Sequence, residues 1–119
     1  MIGIGIDVVD VVRFTLFLER RGAHGRARLF TERELADARE DPRRLAARFA
    51  AKEAAMKALG VGLGAFGFHE VSIAREADGR PTLVVVGRAA ELASSAGATR
   101  WLVSLTHTDI VAEAVVCLV

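Results

Sequence analysis

Isoleucines at positions 2, 4 and 6 alternate with Gly3, Gly5 and Asp7, a period of two that predicts a strand over residues 2–9 with one apolar face. Glycines weaken such a strand unless another backbone comes close to it. The period then lengthens. Val11, Val12, Phe14, Leu16, Phe17 and Leu18, set among Arg13, Glu19, Arg20 and Arg21, predict a helix over residues 10–21. Residues 22–28 are basic and glycine-containing and read as loop or a short turn of helix, with His24 a solvated loop histidine. Thr31-x-x-Glu34 is a capping box that starts a second short helix to about residue 39. Asp41-Pro42 opens the main helix, rich in Ala, Leu, Met, Lys and Glu, and Gly60 closes it.

Residues 60–67 form a glycine-rich loop that either wraps a ligand or simply connects. Two strands follow, at 69–76 and 80–86, joined through the turn signal Asp78-Gly79. A helix over 88–96 with Gly97 as its cap leads into a closing hairpin, 100–106 and 110–119, around His107-Thr108-Asp109. The last strand is apolar on both faces apart from Glu113, whereas a small antiparallel sheet normally keeps one face polar. Helices are expected on one of its faces and a neighbouring subunit on the other. The pattern is α+β: a long central helix against a small antiparallel sheet, in a single domain spanning residues 1–119.

Composition narrows the function classes. Sixteen basic and 15 acidic residues nearly cancel, which excludes a general nucleic-acid binder but not a local basic patch. Cys117 is the only cysteine, so no internal disulfide can form, and its apolar neighbours make it a small hydrophobe. No apolar run approaches the roughly 20 residues of a membrane span, and the opening residues have no basic segment of a secretory leader. A cytoplasmic protein is the expectation.

Chemistry concentrates in the main helix. Lys52 and Lys57 are the only lysines in a chain otherwise reliant on arginine, and lysine is a compact point charge suited to phosphate. Arg44, Arg48 and Lys52 step by four and form a basic stripe. Glu53 and Lys57 are also four apart and project from one face, either as a solvated ion pair or as working groups. Asp7, at the end of the first strand, is either a helix N-terminal charge or a site carboxylate. The alanines between these residues leave room for another backbone or a ligand.

Three motifs occur in order: Gly5-Ile6-Asp7, then Arg48-Phe49-Ala50-Ala51-Lys52-Glu53-Ala54 running on to Lys57 and Gly60, then Ser104-Leu105-Thr106-His107-Thr108. Together with Arg13 and the turn Asp78-Gly79-Arg80-Pro81, they closely resemble the holo-acyl-carrier-protein synthases, the small single-domain 4′-phosphopantetheinyl transferases. The resemblance spans essentially the whole chain; Asp10, where that family often has Glu, is a mild departure.

The resemblance implies an enzyme of fatty acid biosynthesis that moves phosphopantetheine from coenzyme A to a serine of an apo acyl carrier protein. The reaction releases 3′,5′-ADP and requires Mg²⁺. It implies Asp7 and Glu53 as metal ligands, Glu53 as acceptor of the serine proton directly or through water, and Lys57 as neutraliser of the leaving diphosphate. Arg48 and His107 would meet nucleotide phosphates, Pro81 would pack near the adenine, and Arg13 would contact the acidic carrier. It further implies a homotrimer with sites shared between subunits, Asp7, Glu53 and Lys57 coming from one and His107 with Pro81 from its neighbour. In that context the solvated ion-pair reading of Glu53 and Lys57 falls away. The rival reading is a non-catalytic module that only holds a carrier or a nucleotide.

Overall fold

The computed structural model describes residues 1–119. The chain begins with strand β1 (Gly3–Asp10), then helices α1 (Val11–Leu29), α2 (Glu32–Ala38) and α3 (Pro42–Leu59). A short 3₁₀ turn (Phe68–Glu70) leads to strands β2 (Val71–Arg75) and β3 (Pro81–Val85), helix α4 (Gly87–Ser95) and strands β4 (Trp101–His107) and β5 (Val111–Leu118). β1, β5 and β4 form one antiparallel sheet in that order, and β2 with β3 a separate antiparallel hairpin. The expected α+β architecture is present, with α3 lying across β1 and β5. No helix is long and apolar enough to cross a membrane.

The glycines of β1 set the distance between sheet and helix. Gly3, Gly5, Asp7 and Val9 alternate toward the interior, and Ile4, Ile6 and Val8 point outward. A Cβ on Gly3 would run into the Ala58 carbonyl oxygen, and one on Gly5 into that of Ala54. The strand therefore meets the alanine face of α3 backbone to backbone. A rigid carbonyl cannot rotate away, so Gly5→Ala should cost about 3 kcal/mol, the upper end for overpacking. Its melting temperature should fall by roughly 10 °C. Gly62→Ala, where an added Cβ meets nothing within 4 Å, is the control and should melt near wild type.

Three sequence readings change, and for Asp7 the structure decides against one of two open ones. α1 does not end near residue 21: Gly22, at φ 64°, kinks it, and the helix resumes through the basic segment to Leu29. Asp10, not Asp7, caps α1, its carboxylate accepting the Arg13 N–H at 2.8 Å. The third correction concerns the basic stripe. Arg44 is half-buried, Arg48 is 2% exposed and Lys52 is fully buried, so the stripe runs down into the core.

There the Lys52 ammonium donates to Glu34 Oε1 at 2.8 Å and to the carbonyls of Phe68 and Val71, both at 2.7 Å. Glu34 Oε2 accepts the Ile73 N–H at 3.0 Å, and Oε1 that of Thr31 at 3.1 Å, completing the expected capping box. Burial pulls the Lys52 pKa down while Glu34 holds it up. Lys52 is thus a structural clamp joining α2, α3 and β2, with no surface left for phosphate.

A second polar anchor, which the sequence pattern does not announce, is Glu70. Its carboxylate accepts the N–H groups of Gly67, Arg88 and Ala89, tying the end of the glycine loop to the start of α4. The hydrogen bond from Gly67, above all, holds its carboxyl below the usual range. α4 ends at Ala96 with Gly97 next, at φ 84°, its N–H donating to Ser94 O and that of Ala98 to Ala93 O.

Candidate active site

Asp7 reaches the site because the alternation of β1 turns it toward α3, beyond the two glycines. Lys57, in the last turn of α3, donates to Asp7 Oδ1 at 3.2 Å and to the Ile6 carbonyl at 2.9 Å. Lys57 therefore pairs with the strand and not with Glu53. Glu53 stands one turn earlier, half-buried, on the same face of α3. Burial first, and then the negative charge of Asp7, push the Glu53 carboxyl above the ordinary range, with Lys57 in partial opposition.

The burial has an identifiable source. Phe49, one turn before Glu53, stacks on Phe14 at 4.7 Å between ring centroids and on Phe68 at 5.9 Å. Asp7 and Glu53 line one cleft of about 350 Å³ together with Arg13, Phe14 and Phe49. Glu53 also lines a cleft of about 590 Å³ together with Phe17, Phe49, Leu63, Phe68, Arg21, His24 and Arg28. The sequence pattern does not announce this second cleft: residues 22–28 read as loop or a short turn of helix, and His24 as a solvated loop histidine.

Asp7 and Glu53 fit a divalent cation of one kind. Two carboxylates that repel each other across one lysine are relieved by a cation, yet no third Asp, Glu, His or Cys completes a set. A cation here would take its remaining ligands from water and phosphate oxygens, which is how magnesium is commonly bound.

The other three residues singled out in the sequence gather elsewhere. Arg48, Pro81 and His107 line a cleft of about 380 Å³ together with Arg44, Arg75 and Thr106. Arg48 donates only one weak bond, from Nη1 to the Arg44 carbonyl at 3.3 Å, while its buried Nε and Nη2 have no partner. Burial, reinforced by Arg75 and Arg44, lowers the Arg48 pKa, and Glu34 and Asp37 oppose that shift. A buried guanidinium with two unpartnered nitrogens among other cations is suited to an anion.

This cleft shares no lining residue with the Asp7–Glu53 cleft. Helix geometry explains the division: Arg48 and Glu53 are five residues apart, about 140° around a helix of 3.6 residues per turn. Each chain thus carries a carboxylate–lysine cluster on one side and a cleft lined by arginines on another.

The fold thus defines a small α+β domain with a carboxylate–lysine cluster and a separate arginine-lined cleft. The family model described as the 4′-phosphopantetheinyl transferase superfamily matches residues 3–116. Holo-[acyl-carrier-protein] synthases from Micrococcus luteus and Koribacter versatilis are 49% and 42% identical to the chain. The matches cover 98% and 99% of this chain and 90% and 98% of those relatives, respectively. Among solved structures, the holo-[acyl-carrier-protein] synthase of Neisseria meningitidis superposes with a TM-score of 0.89 at 30% identity, covering 99% of this chain and 98% of that one. The Helicobacter pylori synthase, solved in complex with coenzyme A, superposes with a TM-score of 0.88 at 26% identity, covering 98% and 99%. The chain belongs to the 4′-phosphopantetheinyl transferase superfamily and, within it, to the holo-[acyl-carrier-protein] synthases.

Proposed function

We propose that this chain transfers the 4′-phosphopantetheine group of coenzyme A to a serine hydroxyl of an apo acyl carrier protein, releasing 3′,5′-ADP, in support of fatty acid biosynthesis. The observation that carries the reading is the Asp7–Lys57–Glu53 cluster at the crossing of β1 and α3, in a chain matched over nearly its whole length by holo-[acyl-carrier-protein] synthases. The direct test incubates the purified protein with coenzyme A, Mg²⁺ and an apo carrier and weighs the carrier by mass spectrometry. A gain of one phosphopantetheine mass is expected. An unmodified carrier that nevertheless binds the protein would favour the non-catalytic alternative.

In this reading the serine oxygen forms a bond to the β-phosphorus as the bond to 3′,5′-ADP breaks. Glu53 takes the serine proton, directly or through a water, and its raised pKa brings it nearer the working range of a general base. Lys57, exposed at its tip and held toward Asp7, faces the charge that develops on the 5′-phosphate of the departing 3′,5′-ADP. Asp7 and Glu53 would hold the magnesium ion, which supplies charge neutralisation to the phosphates when bound. Arg48 and His107 bind phosphates of the nucleotide, and Pro81 packs beside the adenine.

We also infer a homotrimer with shared sites. Its support is the outward face of the main sheet, where Ile4, Cys117 and Leu102 align across β1, β5 and β4, followed by Ile6 and Val115. Ile4 and Ile6 are 60% and 58% exposed, which is costly for a domain on its own. The division of site residues between separate clefts of one chain agrees with a site completed by a neighbour.

Arg13 lies on the cleft of Asp7 and Glu53, on the α1 side, which suits a contact to an acidic carrier. Arg13→Glu should raise the apparent KM for the carrier about tenfold, leave coenzyme A affinity unchanged, and lose its effect at high salt. Equal damage to coenzyme A binding, read by titration calorimetry, would assign Arg13 to the nucleotide instead.

A further inference from the structure

Eight ion pairs are present, and five of them join residues no more than four apart in sequence. The other three cross the fold, and all three end on α3: Lys52–Glu34, Lys57–Asp7 and Arg43–Asp109. The first belongs to the core and the second to the carboxylate cluster. The third belongs to neither.

Arg43 sits in the first turn of α3 and is held before it reaches outward. Its Nε and Nη2 donate to the two carboxylate oxygens of Asp41 at 3.2 and 3.1 Å, and its Nη1 to Asp109 Oδ1 at 3.0 Å. Asp41 is itself fixed as the N-cap of α3, accepting the Arg43 N–H at 2.9 Å. A guanidinium already pinned on two sides loses little further side-chain freedom in making a third bond, so this pair escapes much of the entropy cost that weakens isolated surface pairs.

Asp109 stands at the tip of the turn between β4 and β5, two residues beyond His107. The turn is stiff in itself: Thr108 Oγ1 accepts the N–H groups of Ile110 and Val111, and the Thr108 N–H donates to Val111 O at 2.8 Å. His107 is exposed at the end of β4, so its place is set by where that turn sits relative to α3. Five residues along α3 from Arg43, Arg48 lines the same cleft as His107, with two of its buried nitrogens unpartnered.

We propose that Arg43 and Asp109 are positioning residues: their ion pair straps the β4–β5 turn to the first turn of α3 and so holds His107 opposite Arg48, preassembling the nucleotide-binding cleft. Neither residue lines that cleft, and both act through His107. The proposal rests on the reading of His107 as a nucleotide ligand.

The test uses Arg43→Gln, Asp109→Asn and the double variant, each as the full-length assembled protein. Coenzyme A affinity by calorimetry, KM and kcat for both substrates, melting temperature and the His107 imidazole NMR signals are measured. Each single variant should bind coenzyme A about three- to fivefold more weakly, the scale of one well-held exposed pair. The double variant should be no weaker than the worse single one, and Asp109→Glu should restore binding. The carrier KM should stay put, the melting temperature should barely move, and the His107 signals should shift alike in both single variants. In about 1 M salt the wild type should bind no better than the variants.

Unchanged coenzyme A binding, losses that add in the double variant, or a uniform loss of every parameter with falling melting temperature would each overturn the strap. If the wild type bound no coenzyme A, the proposed function would fail. The His107 signals would still decide the strap: unshifted signals in both single variants would refute it.

Discussion

Asp7→Ala and Glu53→Ala should each cut phosphopantetheine transfer about a thousandfold or more, since each removes a charge from the Asp7–Lys57–Glu53 cluster at a cost of several kcal/mol in the transition state. Neither should unfold the protein. Asp7 caps no helix, and Glu53 has no hydrogen-bonded partner whose loss would strand a buried charge. A folded variant of either kind with near-normal turnover at saturating magnesium would remove these residues from the mechanism. The same variants test the shared site. In the proposed trimer, assemblies made only of His107→Ala chains should also be nearly inactive, and so should those made only of Glu53→Ala chains. After unfolding, mixing and reassembly, about a quarter of the interfaces would join an intact histidine to intact carboxylates, and activity should return in that proportion. Exchange of subunits, shown by mass tags, without any recovery would place the whole site within one chain.

The largest effect on stability should come from Lys52. Lys52→Ala leaves the Glu34 carboxylate buried without its cation and strips donors from the Phe68 and Val71 carbonyls, so a loss of about 3–5 kcal/mol is expected in urea denaturation. Lys52→Met with Glu34→Gln should recover part of it, because both charges then leave the core together while Gln still offers an oxygen to the Ile73 N–H. Coenzyme A affinity of the folded Lys52→Ala fraction should be unchanged. A loss below about 1 kcal/mol, or a specific loss of coenzyme A binding at full stability, would restore Lys52 to the phosphate site.

The two lysines show how far residue type alone carries. Both sit in the same motif and both differ from their arginine-rich surroundings, which invites one reading for the pair. Tertiary structure separates them: Lys57 leaves α3 beside the end of β1, while Lys52, five residues earlier, meets Glu34 of α2 in the interior. Nothing local to residue 52 says that residue 34 will cover it. The kinked second half of α1 was hidden for a related reason. Gly22 and the basic run around it have the local character of a loop, and the helix continues there because packing of Gly25 and Leu29 in the interior overrides that preference.

What the sequence determined by itself was whatever depends on neighbours along the chain. Apart from the end of α1, period-two and helical spacing placed the strands and helices within a few residues, the Thr31–Glu34 box and Asp41-Pro42 set helix starts, and Gly60 set the end of α3. The glycines of β1 and the alanines of α3 announced a close backbone approach, and the spacing of Glu53 and Lys57 put them on one face. The tertiary structure decided what depends on partners far away in sequence. It brought Asp7 to Lys57 and surrounded Glu53 with Phe14, Phe49 and Phe68. It turned Arg48 to the far side of α3, where Pro81 and His107 complete a different cleft. Those outcomes follow from the close packing of β1 on α3 and from the 100° step of the helix, which turns neighbouring letters of one motif to different faces of α3.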